Sequence, residues 1–138
     1  MERNERANLR TLIFEKREGI VWIRLNRPEV RNALNTVMFD ELKSAIEEVE
    51  NDDAVTVVII TGVGRTFCSG KDRKEIQLPV DFELRRMGAF KAIENCSKIV
   101  IAAVNGHALG GLSRDVDLLP GDGQVVFDSS SLNRHRCR

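Results

Sequence analysis

The chain has 138 residues, 42% of them hydrophobic, and its 21 basic residues balance its 21 acidic ones. This length suits one domain with a sizeable core, and the charge balance argues against a nucleic-acid-binding protein, in which a basic excess is typical. Apolar runs are all shorter than the roughly 18 residues that span a bilayer. The sequence therefore predicts neither a nucleic acid nor a membrane as a partner.

Cysteine usage and the charged start of the chain bear on the compartment. Cys68, Cys96 and Cys137 include no Cys-x-x-Cys pair, which disfavours a disulfide framework or a zinc site. The first residues carry both charge signs and lack the apolar stretch of a secretory signal. We expect a flexible segment over residues 1–8, no metal, and a reducing cytoplasmic location, with the mitochondrial matrix as the alternative.

The chain begins with the pattern of a β-hairpin. Residues 11–16 and 20–26 are predicted strands, since apolar and polar side chains alternate in the second of them. Gly19 suits the turn between the two. Pro28 ends the second strand, because proline has no N–H to donate to the ladder.

Two helices are predicted from apolar residues at three- and four-residue steps. The first covers residues 36–50, with Asn35 or Thr36 as its N-cap. The second covers about residues 81–95. The side chains expected to face inward from the second helix are Leu84, Met87, Phe90 and Ile93.

A nearly unbroken β-branched run at residues 55–61 is typical of a strand covered on both faces, and a second short apolar run covers residues 99–104. The resulting order, β-β-α-β-loop-α-β, indicates an α/β domain. The pattern changes after Gly111, where Pro120 and its glycine neighbours interrupt any helix. Residues 112–138 are therefore predicted to be a divergent, partly disordered tail.

Two glycine-bearing loops, at residues 62–72 and 105–111, follow the two most apolar strands. In α/β sheets, ligands bind beyond the carboxyl ends of strands, and glycine lets backbone N–H groups approach a ligand closely. Two such loops side by side have the geometry of an oxyanion hole. By pattern alone, a simple turn is the more frequent meaning of glycine after a strand.

Three motifs bear on that choice: residues 26–35 (NRPEVRNALN), 67–72 (FCSGKD) and 101–111 (IAAVNGHALGG). In this order and spacing they resemble the motifs of the enoyl-CoA hydratase/isomerase (crotonase) family, over about residues 9–111. The resemblance implies a crotonase-like (ClpP/crotonase) fold with a repeated ββα core, incomplete at its C-terminus. It also implies an acyl-CoA thioester as substrate, no cofactor besides the coenzyme A of that substrate, and the homo-oligomeric assembly of the family, which the missing C-terminal segments make doubtful here.

The resemblance assigns the oxyanion hole to the backbone N–H groups of Lys71 and Gly111. Both would donate to the thioester oxygen, on which charge develops as an enolate forms. Removing one such donor typically costs about 3–4 kcal/mol of transition-state stabilisation.

The same loop is implied to line the path of coenzyme A. Lys71 and Lys74, with Arg31, would meet phosphates as point charges, whereas a solvated charged turn is the alternative for Arg73 and Lys74. The substrate-binding residues implied by the resemblance are Ser69, Lys71, Asp72, Arg73, Lys74 and Gly111.

Two further side chains in these loops invite a catalytic interpretation. Cys68 is interpreted as a packed, inert thiol rather than a nucleophile. His107 is considered as a general base, but its position is not one at which the family carries its acid or base.

The resemblance fails after Gly111, where the family's catalytic glutamates should follow. The first glutamate position holds Arg114, which cannot act as a base at ordinary pH, and the second falls on Ser131. A frame-altered or spliced product would explain this junction. Three hypotheses follow: a hydratase (lyase) or isomerase that stabilises a thioester enolate, an inactive acyl-CoA-binding or interaction protein, or a truncated fragment that folds poorly.

Overall fold

The computed structural model describes the backbone of residues 4–5, 9–70, 72, 74, 79–109 and 124–128, and the side chains of 9–70, 72, 74 and 80–106. The helices are α1 (Thr36–Glu50) and α2 (Pro79–Glu94), and a short 3-10 helix spans Pro28–Val30. The strands are β1 (Asn4–Glu5), β2 (Leu12–Arg17), β3 (Ile20–Leu25), β4 (Val57–Gly62), β5 (Thr66–Ser69), β6 (Ile99–Ala103), β7 (His107–Leu109) and β8 (Gln124–Asp128).

Six strands form one mixed sheet within the described residues, in the order β1-β2-β3-β4-β6-β8. Strands β2 and β3 form the predicted hairpin, with Glu18 and Gly19 in its turn at φ values of 52° and 80°. Positive φ at both turn residues matches the right-handed twist of the paired strands. Strands β3, β4 and β6 run parallel, with α1 between β3 and β4 along the chain.

The core lies between this sheet and the two helices. Alternate residues of β3 and β4, such as Ile23 and Val58, are fully buried, and the residues between them, such as Trp22 and Ile59, are only partly buried. The expectation that β4 is covered on both faces is therefore wrong for the described residues. A β-branched run reports a preference for extended backbone, and it does not fix how much of each face is covered.

The first helix has the predicted bounds and the predicted cap. Asn35 is extended, and its side-chain oxygen accepts a hydrogen bond from the N–H of Met38 at 2.9 Å. This bond satisfies one of the N–H groups that the first turn leaves unpaired. The buried side chains of α1 are Met38, Phe39, Leu42, Ala45, Ile46 and Val49.

The inward face of the second helix differs from the prediction. Of the four side chains predicted to face inward, Leu84 and Met87 are 65% and 47% exposed, whereas Ile93 is buried and Phe90 packs, partly buried, against the core, as predicted. Phe82, which was not predicted to face inward, is only 2% exposed. Apolar residues occur around the whole circumference of α2, so their spacing fits more than one face. The choice is made by α1, since the ring of Phe82 packs edge-on against Phe39 with centroids 5.2 Å apart.

Four strands lie in segments where the sequence predicted none, among them β7 in the second glycine-bearing loop. Strand β1 falls within residues 1–8, and β5 falls within the first glycine-bearing loop. Strand β8 falls within residues 112–138 and pairs antiparallel with β6, with Val126 opposite Ile101. The division into a flexible start, a core over 9–111 and a divergent tail stays a prediction.

Candidate functional site

The two glycine-bearing loops run side by side. Strand β5, in the first loop, pairs in parallel with β7, in the second, and Ser69 lies opposite Leu109 at the end of this pairing. Paired strands lie about 4.8 Å apart. Ser69 and Leu109 therefore end two adjacent strands that run in the same direction.

Asn105 fastens the second loop to the first. Its side-chain oxygen accepts from the N–H of Gly62 at 3.1 Å, and its side-chain nitrogen donates to the carbonyl of Gly64 at 2.8 Å. The neighbouring Gly106 lies so close to the first loop that a Cβ there would be 1.9 Å from the carbonyl oxygen of Arg65. The close contact between Gly106 and the backbone of Arg65 therefore requires glycine. It allows the two loops to pack directly against each other.

Asn32 joins the loop after β3 to the loop after β4. Its side chain is fully buried, and its backbone has a φ of 56°, a left-handed conformation that asparagine tolerates better than most residues. Its nitrogen donates to the carbonyls of Val63 and Thr66 at 3.1 and 2.7 Å, and its oxygen accepts from the N–H of Arg27 at 2.8 Å. The side chain thus has a partner in each loop.

The chain beyond β5 is held against the start of α1. Leu34 donates its N–H to the carbonyl of Gly70 at 2.8 Å and accepts from the N–H of Asp72 at 2.9 Å. The carboxylate of Asp72 lies 3.0 Å from the guanidinium of Arg27, with side-chain exposures of 13% and 16%. This segment is therefore held in place by the two backbone hydrogen bonds to Leu34 and by the ion pair between Asp72 and Arg27.

Cys68 lies beneath this loop and is fully buried. Burial raises the pKa of its thiol to about 11, and the N–H of Gly70, which donates to the sulfur at 3.4 Å, offsets only part of that effect. Burial also raises the pKa of the Cys96 thiol. Neither cysteine takes part in a disulfide bond.

The sequence profile of the enoyl-CoA hydratase/isomerase family matches residues 15–113 of this chain. The chain belongs to that family. It is 40% identical over 109 residues to the short-chain-enoyl-CoA hydratase of Clostridium acetobutylicum, a match that covers 75% of this chain and 42% of that protein. It is 43% identical over 106 residues to the crotonyl-CoA hydratase of Syntrophomonas wolfei, covering 72% of this chain and 41% of that protein.

Solved structures of enoyl-CoA hydratases agree with this assignment. The crystal structure of an enoyl-CoA hydratase/carnithine racemase from Magnetospirillum magneticum superposes with a TM-score of 0.71 at 28% identity, covering 77% of this chain and 42% of that one. The predicted crotonase-like α/β fold is therefore confirmed. The chain spans about two fifths of the length of the relatives that it matches.

Several of the family's predicted site residues lie within the described part of the chain. Ser69 follows Cys68 at the end of β5, and its hydroxyl donates to the carbonyl of Val30 at 3.3 Å. Lys74 is exposed, and its N–H donates to the Asp72 carboxylate at 3.0 Å. The described residues thus bring Ser69, Asp72 and Lys74 together in one loop.

Other predicted residues lie outside the described part of the chain. They include both assigned oxyanion donors, so those assignments stay predictions, and of His107 only the backbone is described. The predicted residues outside the description are Lys71, Arg73, Gly111, Arg114, Ser131 and Cys137. The contacts of Arg27, Asn32 and Asn105 were not predicted, although all three residues lie within the motifs that carry the family resemblance.

Within the described ranges, no group of three or more histidine, cysteine, aspartate or glutamate side chains is arranged to hold a metal ion. None of the described helices has the length and apolar character needed to cross a bilayer.

Cys68 is expected to resist alkylation in the folded protein. Because the thiolate is the reactive form, iodoacetamide at pH 8 should modify native Cys68 on the order of 100-fold more slowly than in the urea-unfolded chain. Mass spectrometry of peptides from the two states measures the ratio. Rapid labelling of native Cys68 would contradict its interpretation as a packed thiol.

The raised pKa of the Cys68 thiol predicts that the free energy of unfolding depends on pH. The pKa of this thiol in the folded chain, about 11, lies above the ordinary value of 9.0. The stability that the protonated thiol contributes is therefore fully present below about pH 9 and lost as the pH rises through about 11.

Proposed function

We propose that the chain binds an acyl-CoA thioester at the two glycine-bearing loops, with the N–H groups of Lys71 and Gly111 donating to the thioester oxygen. The observation that carries this proposal is the parallel pairing of β5 with β7, in which Ser69 and Leu109 lie opposite each other at the ends of the two strands. Lys71 comes two residues after Ser69, and Gly111 two residues after Leu109. This matched spacing supports their convergence on one oxygen.

The contacts of Leu34 support the assignment of the first donor. The carbonyl of Gly70 accepts from the N–H of Leu34 and so points toward the start of α1. In a trans peptide unit the carbonyl and the N–H that follows it point in opposite directions. The amide that follows Gly70 is therefore proposed to point away from Leu34 and to be available to a ligand.

Two candidate functions share this site. The first is the reversible hydration or isomerisation of an enoyl-CoA, since the relatives from Clostridium acetobutylicum and Syntrophomonas wolfei are named as enoyl-CoA and crotonyl-CoA hydratases. The second is acyl-CoA binding without turnover. The second is favoured by Arg114 and Ser131, which occupy the positions where the family resemblance expects glutamates. General acid–base assistance is typically worth about 10²–10⁴-fold, so its loss would leave little hydration.

Binding without turnover is the expected result for the purified chain. Isothermal titration calorimetry should give a dissociation constant for butyryl-CoA below about 1 mM, equivalent to at least about 4 kcal/mol of binding free energy. Hydration of crotonyl-CoA, followed by chromatography of the product, should be at least about 100-fold slower than with a family member that carries both glutamates.

Two lysines offer a control for the binding site. Lys74 and Lys91 are both exposed, but Lys74 lies in the first loop and Lys91 in the last turn of α2. Lys74→Ala should weaken butyryl-CoA binding at low salt, whereas Lys91→Ala should leave it unchanged. Ordinary family rates of hydration would contradict the second function, and no affinity for any CoA thioester would remove both.

The compartment and assembly state stay proposals as well. A reducing compartment such as the cytoplasm stays an expectation from the lack of a Cys-x-x-Cys pair in the sequence. A homo-oligomer of the family type remains an expectation from resemblance. The acyl-CoA thioester is the partner that we propose.

A further inference from the structure

The ion pair between Arg27 and Asp72 joins the end of β3 to the loop beyond β5. We propose that these two side chains are positioning residues. They orient the backbone N–H of Lys71, which is proposed to donate to the thioester oxygen. The inference rests on the acyl-CoA-binding function proposed above. It gives Asp72 a role within the protein instead of the coenzyme A contact that the family resemblance implied.

The guanidinium of Arg27 binds two acceptors at once. One terminal nitrogen donates to the carbonyl of Ala33 at 2.6 Å, and the other donates to the carboxylate of Asp72 at 3.0 Å. A guanidinium is a planar fork that holds two acceptors in fixed relative positions, which a lysine ammonium on a flexible stem does not. Arg27 therefore fixes the distance between the carbonyl of Ala33 and the carboxylate of Asp72. Leu34, the residue after Ala33, binds the backbone of the same loop as Asp72.

The second carboxylate oxygen of Asp72 is also occupied. It accepts a hydrogen bond from the N–H of Lys74 at 3.0 Å, within the same loop. Both oxygens of Asp72 thus have a described partner, one in the loop and one on Arg27. A carboxylate bound in this way fixes the orientation of the backbone to which it is attached.

These contacts flank the backbone hydrogen bonds of Leu34. Leu34 holds the carbonyl of Gly70 and the N–H of Asp72, on either side of the assigned oxyanion donor. Arg27 holds the residue before Leu34 and the side chain of Asp72. The ion pair therefore connects the segment at Ala33 and Leu34 to the loop that contains Gly70 and Asp72. We propose that the alignment of these two segments sets the orientation of the Lys71 N–H.

A purely structural ion pair offers the contrast. Lys16 and Asp52 lie 2.6 Å apart, with side-chain exposures of 26% and 33%, and they join β2 to the segment after α1. Neither residue lies in the glycine-bearing loops. Loss of this pair should change stability without changing how the protein distinguishes one CoA ligand from another.

The test compares a thioester with a thioether that lacks only the carbonyl oxygen. Butyryl-CoA and S-butyl-CoA share the whole coenzyme A portion, so the ratio of their dissociation constants reports the hydrogen bonds to that oxygen. Wild type is expected to bind butyryl-CoA about fivefold more tightly. In Arg27→Gln and Asp72→Asn the ratio should fall to about one, while the affinity for S-butyl-CoA changes less than about twofold.

Controls separate positioning from stability. Lys16→Gln should keep the wild-type ratio even where its melting temperature falls. The double variant, Arg27→Gln with Asp72→Asn, should show no further loss of the ratio, since the two side chains act as one unit. If Arg27→Gln does not fold, Arg27→Lys takes its place: it keeps the charge but reaches one acceptor, so the ratio should fall by at least about half.

The outcomes distinguish this inference from the proposed function. Wild type that binds neither ligand, or binds both equally, overturns the oxyanion assignment and the inference with it. Wild type that prefers the thioester, together with folded variants that keep the same preference, overturns the positioning role alone. Variants that lose affinity for both ligands by the same factor would also overturn it, because that result indicates general damage to the fold.

Discussion

Gly106→Ala is expected to lower the free energy of unfolding by about 3 kcal/mol or more. A Cβ at this position would lie 1.9 Å from the carbonyl oxygen of Arg65 and 2.9 Å from its carbonyl carbon. Both are backbone atoms, so no side-chain rotation relieves the overlap. The second loop would have to move away from the first, and the adjacent hydrogen bonds of Asn105 to Gly62 and Gly64 would be lost with it.

Urea unfolding measures this loss, and a second glycine provides the control. A Cβ at Gly88, within α2, would meet only the side chain of Lys43, with its nearest atom at 3.6 Å. Gly88→Ala should therefore stabilise the chain by about 0.5–1 kcal/mol, because alanine loses less backbone entropy in a helix. A Gly106→Ala variant as stable as wild type would contradict the close approach of the two loops.

The effect of Gly106→Ala should extend to ligand binding. The pairing of β5 with β7 begins immediately after this residue, with Thr66 opposite His107. A shift of the second loop would displace the segment that leads to Gly111. Variants that still fold should thus lose the preference for butyryl-CoA over S-butyl-CoA, whereas Gly88→Ala should keep it.

Local patterns predicted the elements of this fold better than their contacts. The bounds of α1 follow from the apolar spacing and from the cap at Asn35, both of which are encoded within a few residues. The inward face of α2 cannot be predicted from local spacing, because Phe82 faces inward through its contact with the ring of Phe39 on α1. Strand β8 is defined by its antiparallel pairing with β6. The residues around Val126 do not indicate which strand they pair with.

The candidate site shows the same division. Glycines after apolar strands correctly predicted two neighbouring loops, since parallel strands end at the same edge of a sheet. The side chains that hold those loops were missed, because their partners lie far along the chain. Arg27 and Asp72 are 45 residues apart, and Asn32 and Thr66 are 34 apart. Spacing within one motif contains no information about such pairs.

Asn32→Gly is expected to lower the free energy of unfolding by about 2–4 kcal/mol, because buried hydrogen-bonding groups would lose their partner. The carbonyls of Val63 and Thr66 and the N–H of Arg27 all bind this side chain. Glycine adopts the φ of 56° without strain, so this variant isolates the hydrogen bonds. Asn32→Ala should cost about 1 kcal/mol more, since alanine is strained in the left-handed region.

Asn32→Asp tests the direction of these bonds. The aspartate is nearly the same size, but it places a carboxylate oxygen where the amide nitrogen now donates to two carbonyls. Because oxygen there would face two acceptors with no proton to share, we expect a loss at least as large as that of Asn32→Gly at neutral pH. Acidification should return part of the stability, since a protonated carboxyl group donates again.

Asn51 provides the matched control for this series. It is exposed, and its side-chain nitrogen donates to a single carbonyl, that of Glu47 at the end of α1. Asn51→Ala should therefore change the free energy of unfolding by less than about 1 kcal/mol in the same urea experiment. If Asn32→Gly cost no more than this control, Asn32 would not be what fastens the loop after β3 to the loop after β4. The alignment of Arg27 with Asp72 would then have to depend on Leu34 alone.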